Sequence, residues 1–153
     1  DRLDLEQQRL VRDPGSDLTK GDQMALERIS PDGVHEARGY THVVKMGGGT
    51  LAFISGQVGV DAGGALAGDD LESQARQAYV NLKGALDAVG ARPSDIAKIT
   101  TYVVNLTPET RPALNAARGD FFGDELPAST LVGVQALAGP TLLFEIEAIV
   151  VLD

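Results

Sequence analysis

Apolar positions along the chain alternate between a period of two and a period near 3.6, and the switches divide it into strands and helices. Residues 26–29 and 41–46 read as short strands, and Gly47-Gly48-Gly49 after the second is a flexible connection. Residues 50–60 form a β-rich run closed by Asp61-Ala62-Gly63-Gly64, a tight-turn signal, so this part of the chain predicts an antiparallel ribbon. Behind Asp69 and Asp70, which offer an N-cap and a negative first turn, Leu71, Ala75, Ala78, Leu82, Ala85, Leu86 and Val89 recur at helical spacing. That helix should stop at Gly90, a residue suited to a left-handed terminus, with Pro93 blocking continuation. Residues 95–106 are rich in β-branched side chains and read as a strand. Thr107, Pro108 and Glu109 then open a second helix expected to reach about Phe122, with Leu114, Ala117 and Phe121 as its apolar stripe and Pro112 marking an irregular start. Residues 129–137 and 141–152 predict two more strands, joined as a hairpin through Ala138-Gly139-Pro140.

Strands, helix, strand, helix and two strands make a two-layer α+β domain, a mixed sheet with both amphipathic helices on one face. Along the last strand the pleat puts Glu145 and Glu147 on one face and Phe144, Ile146 and Ala148 on the other. Ile54, Val58, Val60, Val103, Val132 and Val134 are more apolar content than one layer of helices covers, which predicts an oligomer with sheet faces buried between subunits.

Composition narrows the picture. The 153 residues, 43% of them apolar, suit a single domain able to build a core without disulfides, in keeping with the absence of cysteine. Residues 1–23 combine many charges with Pro14, Gly15 and Gly21 and few apolar side chains, so they are expected to be a flexible N-terminal extension, added or non-catalytic, before a single domain spanning 24–153; Met24 is the expected natural start. The net charge of −9 repels phosphate backbones and anionic lipid, excluding nucleic acid and membrane surfaces as first choices of partner. The longest apolar stretches, 50–55 and 141–152, are too short to span a bilayer, and no secretory leader is visible, which predicts a cytoplasmic protein.

Most chemical signatures are missing. Without cysteine there is no thiol catalysis or zinc–thiolate site, and His35 and His42 lack the spacing of metal ligands. No Gly-Lys-Ser/Thr follows the glycine runs, and Gly47–Gly49 opens no helix, so neither a phosphate loop nor a dinucleotide fingerprint is present. Asp69-Asp70 reads as a cap rather than a cation site. Neither cofactor nor metal is expected.

Five segments remain: Ile54-Ser55-Gly56-Gln57, Asn81-Leu82, Leu114-Asn115 with Phe121-Phe122, Leu126-Pro127-Ala128-Ser129-Thr130, and Phe144-Glu145-Ile146-Glu147-Ala148. In this order and at this spacing the chain resembles the Rid (YjgF-like, reactive intermediate deaminase) family over about residues 26–153. The resemblance implies a chorismate-mutase-like fold, a homotrimer whose sheets face one another, and clefts between subunits that hydrolyse imines and enamines. By motif, Glu145 matches the family's water-orienting acid, Tyr40 its cleft hydroxyl, Ser55 and Gly56 the strand touching substrate, Asn115 the helix asparagine, and Ser129 and Thr130 the substrate-binding strand.

The resemblance breaks at Ser129, where the family's pattern has an arginine that grips the substrate carboxylate through paired charge-assisted hydrogen bonds. A hydroxyl cannot reproduce that fork, which puts the usual 2-imino acid activity in question. Arg118, three residues after Asn115 on the same helix flank, reads first as a solvated surface arginine and second as a substitute cation entering the cleft from a new direction. Two functions follow: a Rid-like hydrolase of small imines or related metabolites, or a non-catalytic small-ligand-binding or regulatory trimer of the same fold. Deleting residues 1–23 should leave a soluble, folded protein, checked by expression yield and thermal unfolding; an insoluble product would refute the boundary.

Overall fold

The last strand of the chain is the middle of its sheet. The computed structural model describes residues 26–153, so the expectations for residues 1–23 and Met24 lie outside the described residues. Its elements are β1 (Glu27–Ile29), β2 (Val43–Lys45), β3 (Thr50–Val58), α1 (Leu71–Ala88), β4 (Ile96–Val104), α2 (Arg111–Arg118), β5 (Ala128–Val134) and β6 (Phe144–Leu152), with 3₁₀ turns at Pro93–Asp95 and Pro108–Thr110. β1 and β2 form a small antiparallel pair of their own, while the main sheet runs β3-β6-β4-β5. β6 is antiparallel to both neighbours, and β5 is parallel to β4 at the edge, reached through the α2 crossover.

Two expected pairings are corrected. β3 does not extend the β1–β2 ribbon but pairs with β6. The hairpin between the last two strands does not form: both edges of β6 are taken by β3 and β4, and β5 instead lies in register with β4, Lys98 opposite Ala128. The loop through Ala138-Gly139-Pro140 reverses the chain but carries it past β4, so the two strands run antiparallel without pairing.

α1 follows its signals closely. Asp70 caps it by accepting the Ser73 N–H at 2.8 Å, and beyond its end Gly90 takes φ 71°. Its inner face buries Ala75, Ala78, Tyr79, Leu82 and Leu86 against the sheet. The second helix is shorter than predicted: it ends at Arg118 because Gly119 (φ 48°) and Gly123 (φ 58°) turn the chain through left-handed conformations. Phe121 and Phe122 therefore sit in turns, with ring centroids 5.1 and 6.1 Å from that of Tyr79.

Both helices cover one face, against Phe144, Ile146, Ala148 and Val150 of β6. The other face is left uncovered by the described residues and carries Glu145, Glu147, Ile149 and Phe53, the last 72% exposed. The predicted apolar surplus is present in part, with Val132 among the exposed large apolar side chains. Ile54 and Val103 belong to the helix-covered core, and Phe53 and Leu51 supply exposed apolar surface in their place.

A buried amide ties the core to its loops. The Gln74 side chain, fully buried in α1, donates to the carbonyls of Gly68 and Thr141, both at 2.9 Å, and accepts the Leu143 N–H at 2.8 Å. Nearby, a Cβ on Gly59 would come within 2.5 Å of the Gln74 Cα, so that strand end needs glycine to approach the helix. Gln74→Ala should cost about 2–4 kcal/mol, since it leaves three backbone groups unpaired beside a cavity. Urea unfolding checks this, with exposed Val80→Ala on the same helix changing stability by less than about 0.5 kcal/mol.

Candidate functional site

Arg111, Leu114, Asn115 and Arg118 recur at spacings of three and four, so they share one face of α2. That face roofs a cavity of about 320 Å³. Its floor is Ile99 and Thr101 of β4 with Ser129 and Leu131 of β5, its apolar end Tyr79, Phe122 and Phe144, and its rim Arg38, Gly39 and Tyr40. The rim is pinned through Thr41, whose backbone N–H reaches the Pro127 carbonyl at 2.9 Å and whose hydroxyl donates to the Leu126 carbonyl at 2.7 Å. Tyr40 Oη shares a hydrogen bond of 2.8 Å with His35 Nε2, and His42 Nε2 donates to the His35 carbonyl at 2.7 Å.

Arg118 is not a solvated surface arginine, which corrects the first reading of that residue. It lines the cavity, with its guanidinium carbon 5.3 Å from the centre of the Phe122 ring, a cation–π distance. Gly39 leaves it room: a Cβ there would lie 2.9 Å from Nη1, and φ is +81°. The Arg118 Nε is buried and has no hydrogen-bond partner among the described residues. A buried donor without a partner is costly, so this nitrogen stands out among the described residues.

The remaining predicted residues face the other way. Thr130 lies next to Ser129, so the pleat sends it to the uncovered face, where its hydroxyl oxygen accepts from Lys98 Nζ at 2.5 Å. Glu145 likewise lies next to Phe144, in register with Tyr102 of β4 and Val58 of β3. β3 bulges between Ile54 and Gln57, and a Cβ on Gly56 would come within 1.8 Å of Glu145 Oε1. The carboxylate therefore rests on the Gly56 backbone, a seat only glycine permits. Ser55 borders a second cavity of about 320 Å³ on this face, with Phe53, Lys98, Thr100 and Glu147. There the Tyr102 hydroxyl donates to Glu147 at 2.9 Å; that bond, with some burial and both glutamates, raises the phenol above its ordinary range. Burial lowers the Lys98 ammonium, and Glu147 opposes it.

The predicted residues thus divide between opposite faces of the sheet. Tyr40, Asn115, Arg118 and Ser129 share the helix-side cavity, whereas Ser55, Gly56, Thr130 and Glu145 lie on the uncovered side. Sequence reasoning missed Arg111 and Arg38, although Arg111, Asn115 and Arg118 stand at i, i+4 and i+7, which marks a single polar row. Among the described residues no cluster of three or more His, Asp or Glu could hold a metal ion, and no helix is long and apolar enough to cross a membrane.

Among known proteins, residues 32–152 match the family model described as Endoribonuclease L-PSP. A 2-iminobutanoate/2-iminopropanoate deaminase from Dermatophagoides farinae is 31% identical over 115 residues, covering 74% of this chain and 86% of that protein. One of the same name from Salmonella typhimurium is 34% identical over 106 residues, covering 67% and 80%. A Yersinia pestis protein of unknown function in the conserved Rid family superposes with a TM-score of 0.79 at 40% identity, covering 84% of this chain and 100% of that one.

Burial pushes the Tyr79 phenol up to about 12, and Arg118 pulls only partly against it. A phenol held neutral by the fold contributes stability that is complete below about pH 10, its unfolded pKa, and is lost as pH rises toward 12. Ultraviolet titration of the three tyrosines should show Tyr79 ionising last, and Tyr79→Phe should remove that step and flatten the alkaline loss of stability. A Tyr79 step near pH 10 would contradict its burial.

Proposed function

This chain belongs to the Rid (YjgF-like) family, and on that premise we propose that it hydrolyses small reactive imines or enamines in clefts between the subunits of a cytoplasmic homotrimer. The observation that supports this reading is the seat of Glu145 on Gly56, which fixes a carboxylate at a bulge beside Ser55. An iminium carbon is already electrophilic, so the protein need only orient water and substrate. Glu145 takes a proton from water as the water oxygen bonds to the iminium carbon, then returns it to the carbinolamine nitrogen; the C–N bond breaks as the carbonyl forms, the nitrogen leaves as ammonium, and the carboxylate is restored. No cofactor enters that sequence.

A cleft between copies resolves the division of the half-sites. The uncovered face of one copy brings Glu145, Ser55, Gly56 and Thr130, and the helix-side cavity of another brings Tyr40, Asn115 and Ser129 to position the substrate. The apolar surface at Phe53 is what such an assembly would cover. RNA is a poor fit to a chain of net charge −9, because phosphate neutralisation needs basic surface. A second reading, a trimer that binds a small ligand without turnover, is favoured by Ser129, which has no guanidinium to grip a carboxylate.

The test is ammonia release, or competition with semicarbazide, on imines generated in situ by an amino-acid oxidase. The wild type should accelerate hydrolysis, and Glu145→Gln should lower the rate by about 10²-fold or more. Gly56→Ala, which displaces the carboxylate, should lower it comparably. A silent wild type with activity gained in Ser129→Arg would favour the non-catalytic reading, and a monomeric mass in solution would sink both.

A further inference from the structure

Around the helix-side cavity stand three arginines, 38, 111 and 118, and no carboxylate lines it, although acids outnumber bases by nine in the whole chain. Arg38 is mostly exposed and meets Glu36 at 3.5 Å, a pair worth little in solvent. Arg111 and Arg118 have no ion pair or side-chain hydrogen bond among the described residues. The buried Nε of Arg118 is the strongest sign, since a buried donor without a partner is costly even where the rest of the side chain is only half-buried.

We propose that this cavity takes a short-chain dicarboxylic acid, with one carboxylate held by Arg118 and the other by Arg111. The inference rests on the hydrolase reading for what happens to the ligand, but not for its binding. Arg111 and Arg118 are seven residues apart on one helix, two turns along the same face, so their anchors stand about 10 Å apart along the axis. Two guanidinium groups so placed suit two separate anionic groups rather than one compact dianion, and each fork matches a carboxylate bidentately. Asn115 lies between them on the same row and presents an amide to the middle of the ligand, where a C=N or C=O group would sit. Arg118 thereby supplies, from α2, the charge that Ser129 lacks on β5. The volume, about 320 Å³, is at the small end for ligand sites and suits a metabolite of this size.

Calorimetric titration of the full chain with 2-oxoglutarate, 2-oxobutyrate and inorganic phosphate tests this. The dicarboxylate should bind about tenfold or more tightly than the monocarboxylate. Arg111→Ala, at an exposed position, should reduce that ratio to about one, and Arg118→Lys should weaken both oxo acids. Equal affinity for the two oxo acids, a preference that survives Arg111→Ala, or phosphate binding as tightly as 2-oxoglutarate would overturn the proposal. The two readings fail separately. A dicarboxylate preference that depends on Arg111 in a protein releasing no ammonia would remove the hydrolase and keep this site. Imine hydrolysis indifferent to the second carboxylate and to Arg111 would do the reverse.

Discussion

The alternation of side chains along β6, with both of its edges hydrogen-bonded, is the constraint on which the rest of this structure depends. A strand paired on both sides cannot slip by one residue without turning every side chain to the wrong face. Phe144, Ile146, Ala148 and Val150 are thereby committed to the helices, and Glu145 and Glu147 to the uncovered face. The same pleat in β5 parts Ser129 from Thr130. Neighbours in the chain thus come to lie on opposite faces of the sheet, and no single surface of one chain holds both.

The helix-side cavity shows how local arrangement can oppose net charge. A chain of −9 would repel an anion at long range, but over a few ångströms the nearest charges decide, and in low dielectric they act with little screening. Arg118 gains its place through small residues and aromatic faces: Gly39 leaves space for its guanidinium, and Phe122 offers a ring beneath it. Tyr79, neutral and buried at the same end, adds no competing charge. The cavity therefore reads as a positive pocket in an acidic protein, shaped by a short helix that ends where Gly119 breaks it.

The supports of both half-sites are backbone contacts made possible by glycine and by side-chain amides. Gly56 admits Glu145, and Gly59 admits the start of α1 around Gln74. Asn81 donates to the carbonyls of Val58 and Val60 at 2.9 and 2.8 Å, holding the end of β3 beyond its bulge. The glycines act by leaving room, while the Asn81 amide satisfies two carbonyls at the strand end, which lets irregular backbone lie near the core.

Local rules were enough to place the elements. Periodicity located both helices and the main strands, and the caps at Asp70 and Gly90 fell where the side chains and glycine favoured them. The two faces of β6 were likewise legible, because a period of two is a property of the strand alone. The motif segments indicated the family and the residues to inspect. Strand order was not legible: the choice between a hairpin to β6 and a parallel ladder with β4 depends on which edges are already occupied, a competition among distant segments. Nor could spacing alone tell whether Arg118 faces solvent or a cavity, because that turns on Gly39, 79 positions earlier, and on Phe122 in the turn after the helix. Sequence decides what each segment prefers by itself; tertiary structure decides which preferences meet, because burial and pairing are settled between segments and not within them.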